Sequence, residues 1–364
     1  METKNLPQIS QIPAEKNPMS NVQNNNTPLG DLGKYGLIDH ISKRTELLNK
    51  STVTGIGDDA AVIDSGEKFT LVSTDLLLEG IHFNLIYFPL KHLGYKAVIR
   101  AISDICAMNG IPGQVLIGLG ISSRFSVEQI DEIMEGAGLA CKKYNVDLAG
   151  GDITSSLTGL TISVTSVGYA EKGNVARRDG AKPNDLICIT GDLGAAYLGL
   201  QVLERETKIF EENRSVQPDL STYNYIIEKQ LKPEIPVGIL EEIRKAGIVI
   251  TSMIDVTDGL ASDIMQICKS SGTGCRIFNK QIPLDTETVR VAEEFNIDPL
   301  VPALNGGDDF ELLFTIPLDM YDKIRGISSV SVIGHITEKG SGNYLIGADG
   351  SEIELTAQGW KREK

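Results

Sequence analysis

The chain returns repeatedly to one local pattern, aspartates set in a glycine turn or where an apolar run of strand length ends or a helix begins. It appears first in GIGDDAAVI (55–63), where Asp58 and Asp59 stand side by side. It recurs in LVSTD, closed by Asp75, and in LAGGD, closed by Asp152. It returns in IDVTDG, with Asp255 and Asp258 around the turn, and in GGDDFELLF, where Asp308 and Asp309 follow two glycines. Strand-like runs at 69–75, 113–122, 146–152 and 160–170 alternate with helical spacing at 91–110 and 126–145. A second round follows the turn-rich RRDGAKPND (177–185), with strand, turn and helix patterns in LICITGDLGAA and IVITSMIDVTDGLASDIMQICK, then short strands in SVSVIGHI and YLIGADG. Strands and helices mix in both halves, so an α/β (or α+β) fold of two domains is expected, at 31–178 and 179–364. Residues 1–30 hold the Asn-, Gln- and Pro-rich stretch EKNPMSNVQNNNTPLG, which cannot bury a core; a disordered tail is expected there.

Charge narrows the partners. With 49 acidic against 34 basic residues, the net charge of −15 repels nucleic acid and anionic membranes, and neither is expected as a partner. An acidic protein can still bind phosphates if it first recruits divalent cations. The five cysteines are odd in number and form no CxxC pair, which argues against a disulfide framework or a zinc site and fits a reducing cytoplasm. No run approaches the roughly 18 apolar residues of a membrane span, and the N-terminus has no hydrophobic signal core. The P-loop, GxGxxG, HExxH and GxSxG patterns are all absent.

Taken singly, each turn aspartate is explained by capping of nearby amides. Asp104 is different, because on its helix it shares a face with Ala97, Ala101 and Met108. A carboxylate on such a face is costly unless it is paired or metal-bound. An ion pair to Arg100, one turn earlier, and a metal role both remain open. Together the carboxylates and the hydroxyls of Ser73, Thr74 and Thr257 make a hard oxygen donor set of the kind Mg²⁺ takes. Carboxylates and phosphates repel one another unless cations intervene. The residues therefore read as a magnesium-dependent phosphoryl- or nucleotidyl-transfer site, and they leave kinase and phosphatase undivided.

In this order, GIGDDAAVI, STDLLLEGIHF, ISDICAMNG, LAGGDIT, RRDGAKPND, ITGDLGAA, IDVTDGLASD and GGDDFELLF resemble the thiamine-monophosphate kinases, from about residue 33 to the C-terminus. The resemblance implies the fold of aminoimidazole ribonucleotide synthetase, with a homodimer whose N-terminal strands form a shared barrel. It also implies transfer from ATP to thiamine monophosphate, directly and with several Mg²⁺ ions, giving thiamine diphosphate. Carried over by motif, Asp59, Ser73, Thr74, Asp75, Asp104, Asp152, Asp255 and Asp258 would hold metals, with Asp75, Asp104 and Asp152 central to catalysis. Tyr144, Gly151, Asp152, Arg178 and Thr257 would contact ATP. His82 would approach the substrate phosphate, and Asp308 and Trp360 the thiamine end. Trp360 is equally explained as an aromatic anchor for the C-terminus, and Arg178 as a solvated turn residue. The chain departs from the family where the motif reads Gly-Gly-Glu-Asp, since Asp308 is one carbon shorter than glutamate. Its N-terminal extension is not a family feature either. Neighbouring readings are a purine cycloligase, a selenophosphate synthetase (weakened because no cysteine precedes Cys106), a magnesium-dependent phosphatase, and a nucleotide-binding protein without turnover.

Overall fold

The computed structural model describes residues 29–214 and 218–357; most of the asparagine-rich tail and Trp360 lie outside the described residues. Helix α1 (Leu29–Ser42) bends at Gly33, whose φ of 66° suits glycine. The first sheet holds β1 (Thr52–Thr54), β2 (Ala61–Asp64), β3 (Lys68–Leu78), β4 (Ile111–Ile121), β5 (Asp147–Ser155) and β6 (Thr161–Glu171), in the order β1-β2-β3-β6-β4-β5. All its pairings are antiparallel except β4 with β5. Eleven pairs, from Lys68↔Glu171 to Leu78↔Thr161, lock β3 to β6 and fix which side chains of β3 face inward. Strand β5 ends the sheet, and all nine of its residues are exposed.

Helices α2 (Leu90–Ala107) and α3 (Val127–Tyr144) pack together. Ser126 and Gln129 form a capping box at the start of α3, and Asn145 closes it in the left-handed region. A Cβ on Gly94 would lie 1.8 Å from the Ile133 carbonyl oxygen, and one on Gly136 1.8 Å from that of Lys91. Only glycine allows so close a crossing.

The second sheet gathers β7 (Leu186–Thr190), β8 (Ser252–Asp255), β9 (Gly274–Phe278), β10 (Leu312–Ile316), β11 (Val330–Thr337), β12 (Asn343–Ile346) and β13 (Glu352–Glu354), in the order β13-β12-β9-β11-β7-β10-β8. Around it lie α4 (Ala195–Glu212), α5 (Asn224–Leu231), α6 (Val237–Lys245), α7 (Leu260–Ser271), α8 (Thr286–Glu294), α9 (Leu300–Asn305) and α10 (Tyr321–Ile324). One apolar cluster runs from Leu77 and Ile117 of the first sheet, through Val98 and Ile102 of α2, to Met253 and Phe314 of the second. Thirteen of the eighteen residues of α2 are buried, because the helix touches both sheets. That position lets its few polar side chains reach across the molecule.

Candidate active site

Those polar side chains fall at helical spacing. Lys96, Arg100 and Asp104 follow one another at four-residue steps, so they share one edge of an otherwise apolar helix. Ser73 and Asp75 stand on the same face of β3 as buried Leu71 and Leu77, and that face meets α2. Ser73 donates its hydroxyl hydrogen to Asp104. Arg100 Nε donates to Asp75 at 3.1 Å, not to Asp104, so the ion pair that the sequence left open goes to another carboxylate.

Opposite α2, strand β8 ends at Asp255, which accepts from Ser103 Oγ at 2.5 Å. The loop after β8 carries Thr257 and Asp258 to the start of α7. There Asp263 accepts from the amides of Thr257 and Asp258 at 3.1 and 3.2 Å. The GGDD loop lies directly against this turn. Gly307 has φ 76°, and a Cβ there would stand 2.4 Å from the Thr257 carbonyl oxygen. Asp308 and Phe310 also adopt positive φ, 58° and 54°, a strained state for residues with side chains.

The glycine turn that opens the pattern meets the same space. Arg178 forms a fork on Asp59, with Nε at 3.2 Å and Nη2 at 2.5 Å from the two carboxylate oxygens. Asp58 is engaged differently. It accepts from the amide of Asp59 at 3.0 Å, and burial with the neighbouring Asp59 charge raises its carboxyl to about 6.

Asp59, Ser73, Thr74, Asp75, Asp104, Arg178, Asp255, Thr257 and Asp258 all line one cavity of about 850 Å³. Carboxylate oxygens of Asp59, Asp104 and Asp255 lie within 4.8 Å of one another. Burial, followed by the charges of Asp75, Asp255 and Asp59, pushes the Asp104 carboxyl well above the ordinary range. Burial and the Asp59 charge raise Asp255 to about 7. Asp75 Oδ2 is buried without a hydrogen-bond partner. Crowded, under-satisfied carboxylates of this kind match a hard divalent cation, and the donor set fits Mg²⁺.

Among the described residues of the motif set, Gly151, Asp152, Tyr144, His82 and Asp308 do not line this cavity. Gly151 and Asp152 sit on exposed β5 and line a second cavity of about 720 Å³ with Ile130 and Met134 of α3. Asp75, Val164, Ile117 and Gly151 are successive partners across the sheet, so Gly151 stands three strands, about 14 Å, from Asp75. Tyr144 donates to Glu234 at 2.5 Å and accepts from the Ile235 amide at 2.9 Å, tying α3 to the 232–236 segment. His82 is half-buried; its Nδ1 accepts from the Leu78 amide at 3.1 Å, and burial, then Arg100, lowers its pKa.

Sequence reasoning passed over Lys34, Tyr35, Lys96 and Asp263, and weighed Arg100 only as a partner for Asp104. Lys34 and Tyr35 of α1 both donate to Asp258. Lys96, fully buried, meets Asp308 at 3.0 Å, and Arg100 Nη1 meets the other oxygen of Asp308 at 3.0 Å. The available signal was three charged residues at four-residue steps in an apolar helix.

The family model described as AIR synthase related protein, N-terminal domain, matches residues 57–170, which span β2 to β6. Thiamine-monophosphate kinase of Bacillus subtilis (strain 168) is 32% identical over 339 residues, covering 92% of this chain and 100% of the relative. The Aquifex aeolicus (strain VF5) enzyme of the same name is 31% identical, covering 92% and 99%. A solved structure described as AaThiL complexed with AMPPCP and TMP superposes with a TM-score of 0.78 at 30% identity, over 92% of this chain and 98% of that one. The aminoimidazole ribonucleotide synthetase-like fold expected from the motifs is thus present. With a likeness that runs nearly the full length of both chains and takes in every aspartate turn, this chain belongs to the thiamine-monophosphate kinase family.

Proposed function

We propose that this chain transfers the γ-phosphoryl group of ATP to the phosphate of thiamine monophosphate, giving thiamine diphosphate and ADP. The observation that carries the reading is the meeting of Asp59, Asp104 and Asp255, from three separate segments, in one cavity that Arg178 also lines. The relatives' names and the AMPPCP and TMP bound to the A. aeolicus protein support the choice of substrates.

In the transfer, an oxygen of the acceptor phosphate forms a bond to the γ-phosphorus while the bond to the β–γ bridging oxygen breaks and ADP leaves. The acceptor is already ionised near neutral pH, so no side chain has to remove a proton. Positioning and charge compensation are the main work. Asp59, Asp75, Asp104 and Asp255 would hold Mg²⁺, with Ser73, Thr74 and Asp258 at the margins. When bound, Mg²⁺ supplies neutralisation of the crowded carboxylates and of two phosphates brought together. Asp59 holds the Arg178 guanidinium through Nε and Nη2, and Nη1 is read as its contact to the ATP phosphates. Thr257 lines the same wall.

We read Asp152, Gly151 and Tyr144 as completing the nucleotide site of a second copy of the chain. Exposed β5, with Ile153 69% exposed, supports a homodimer joined through the first sheet. We read the chain as dividing into two domains between residues 178 and 179, in the connection from β6 to β7.

Incubation with ATP, Mg²⁺ and thiamine monophosphate, followed by chromatography of the thiamine phosphates, tests the reading. Stoichiometric thiamine diphosphate and ADP are expected. Phosphate release without thiamine diphosphate would replace the kinase reading by a phosphatase.

A further inference from the structure

The cavity must take two phosphate groups among at least five carboxylates, so its fixed cations decide where each anion lies. Among the described residues, Lys34, Arg100, Arg178 and Lys269 are its basic lining. Lys34 is paired with Asp258 and Lys269 with Asp39, while Arg178 turns both arms of its fork onto Asp59.

Arg100 is held differently. Its fork is split between two carboxylates, Nε to Asp75 at 3.1 Å and Nη1 to Asp308 at 3.0 Å. Its Nη2 makes no hydrogen bond among the described residues, yet the side chain borders the cavity and is only 16% exposed. A guanidinium fixed at two points loses little further freedom when its remaining N–H groups bind an anion. Beneath it, buried Lys96 takes the second oxygen of Asp308 and is itself tied to the carbonyl oxygen and the side-chain oxygen of Gln230. Asp308 is thereby balanced by two cations, so it does not present a free negative charge to a cationic ring.

We infer that Arg100 binds the acceptor phosphate of the substrate, with Asp308 and Lys96 acting as positioning residues that aim its guanidinium beside Asp75. This rests on the proposed kinase reading and deepens it. Asp308 takes a role different from the direct thiamine contact that the family motif implies.

Calorimetric titration of the dimer or monomer as purified, with Mg²⁺ and a non-hydrolysable ATP analogue present, compares thiamine monophosphate with unphosphorylated thiamine. The wild type is expected to prefer the phosphorylated ligand. Arg100→Lys keeps the charge and loses the fork, and is expected to reduce that preference by about tenfold or more. Arg100→Gln is expected to reduce it further; if this variant does not fold, Arg100→Lys carries the test. Equal weakening of both ligands, or an unchanged preference, makes Arg100 a structural strut and overturns the inference. Should the wild type form no thiamine diphosphate, the kinase reading falls while Arg100 remains under test. Inorganic phosphate would then still be expected to raise the melting temperature of the wild type and not of Arg100→Gln, and equal shifts would refute the phosphate site.

Discussion

Ser103 Oγ donates to Asp255 Oδ2 at 2.5 Å, joining α2, which packs on the first sheet, to the last residue of β8 in the second. Both groups are buried, and the hydroxyl favours the charged form of a carboxyl that burial and Asp59 raise to about 7. Ser103→Ala would leave that carboxylate oxygen without its donor. The expected cost is about 1–3 kcal/mol of stability, read from urea unfolding at neutral pH. A variant as stable as the wild type would show that this hydrogen bond contributes nothing net.

Asp104→Asn separates stability from function. The carboxylates of Asp59, Asp104 and Asp255 crowd within 4.8 Å, and burial with like charges disfavours ionised Asp104. Removing one charge is expected to raise the melting temperature of the protein in EDTA above that of the wild type. The same variant is expected to lose most of the stabilisation that Mg²⁺ gives the wild type, and about 100-fold or more of its turnover. A magnesium-induced shift as large as the wild type's would remove Asp104 from the metal set.

How much of this was legible beforehand depends on the range of the interaction. Strands β3, β4 and β6 and helices α2 and α3 lie within a few residues of their expected spans, because alternation and helical spacing are local properties. Asp59, Asp104 and Asp255 were visible because each sits at a strand end, a glycine turn or an apolar helix face; Asp75 was read as a strand end, but β3 continues past it to Leu78. The partners of those carboxylates were not visible. Arg100 bonds Asp308 across 208 residues and Lys34 bonds Asp258 across 224, and no local pattern encodes such distances. For the same reason Arg100 stood out as the nearest possible partner of Asp104, whereas the sheet delivers Ser73 to it. The glycine pair at Gly94 and Gly136 also passed unremarked, since only the helix crossing reveals its need.

Acid should weaken the Asp308 cluster in a defined window. Burial alone would raise this carboxyl, but Lys96 and Arg100 draw it down from 3.8 to about 2. A carboxylate lowered on folding contributes stability that is complete above its unfolded value and is lost as pH falls towards the folded one. The pairing is thus present above about pH 4 and fades towards pH 2. The stability gap between wild type and Asp308→Asn is therefore expected to shrink by about 2 kcal/mol between about pH 5 and pH 2. Parallel unfolding curves across that range, with a constant gap, would mean that the ion pairs to Lys96 and Arg100 do not stabilise the fold.

The position of Asp152 leads to the sharpest test of assembly. In one chain it stands on exposed β5, remote from the carboxylate cavity that Asp104 lines. If a second copy supplies it, each active site combines Asp104 of one chain with Asp152 of the other. Asp104→Asn and Asp152→Asn are then each expected to be nearly inactive as pure proteins. Mixed and allowed to exchange subunits, half the dimers carry one chain of each kind. In such a dimer both substitutions fall in one site and the other site is intact. Activity is expected to recover to about a quarter of the wild-type value per chain, as two-fold symmetry requires. Sedimentation of Ile153→Lys, placed on the same exposed strand, is expected to show monomer and to abolish the recovery when introduced into both variants. Mixtures that stay inactive while subunit exchange is demonstrated would confine Asp152 to its own chain and end the shared-site reading.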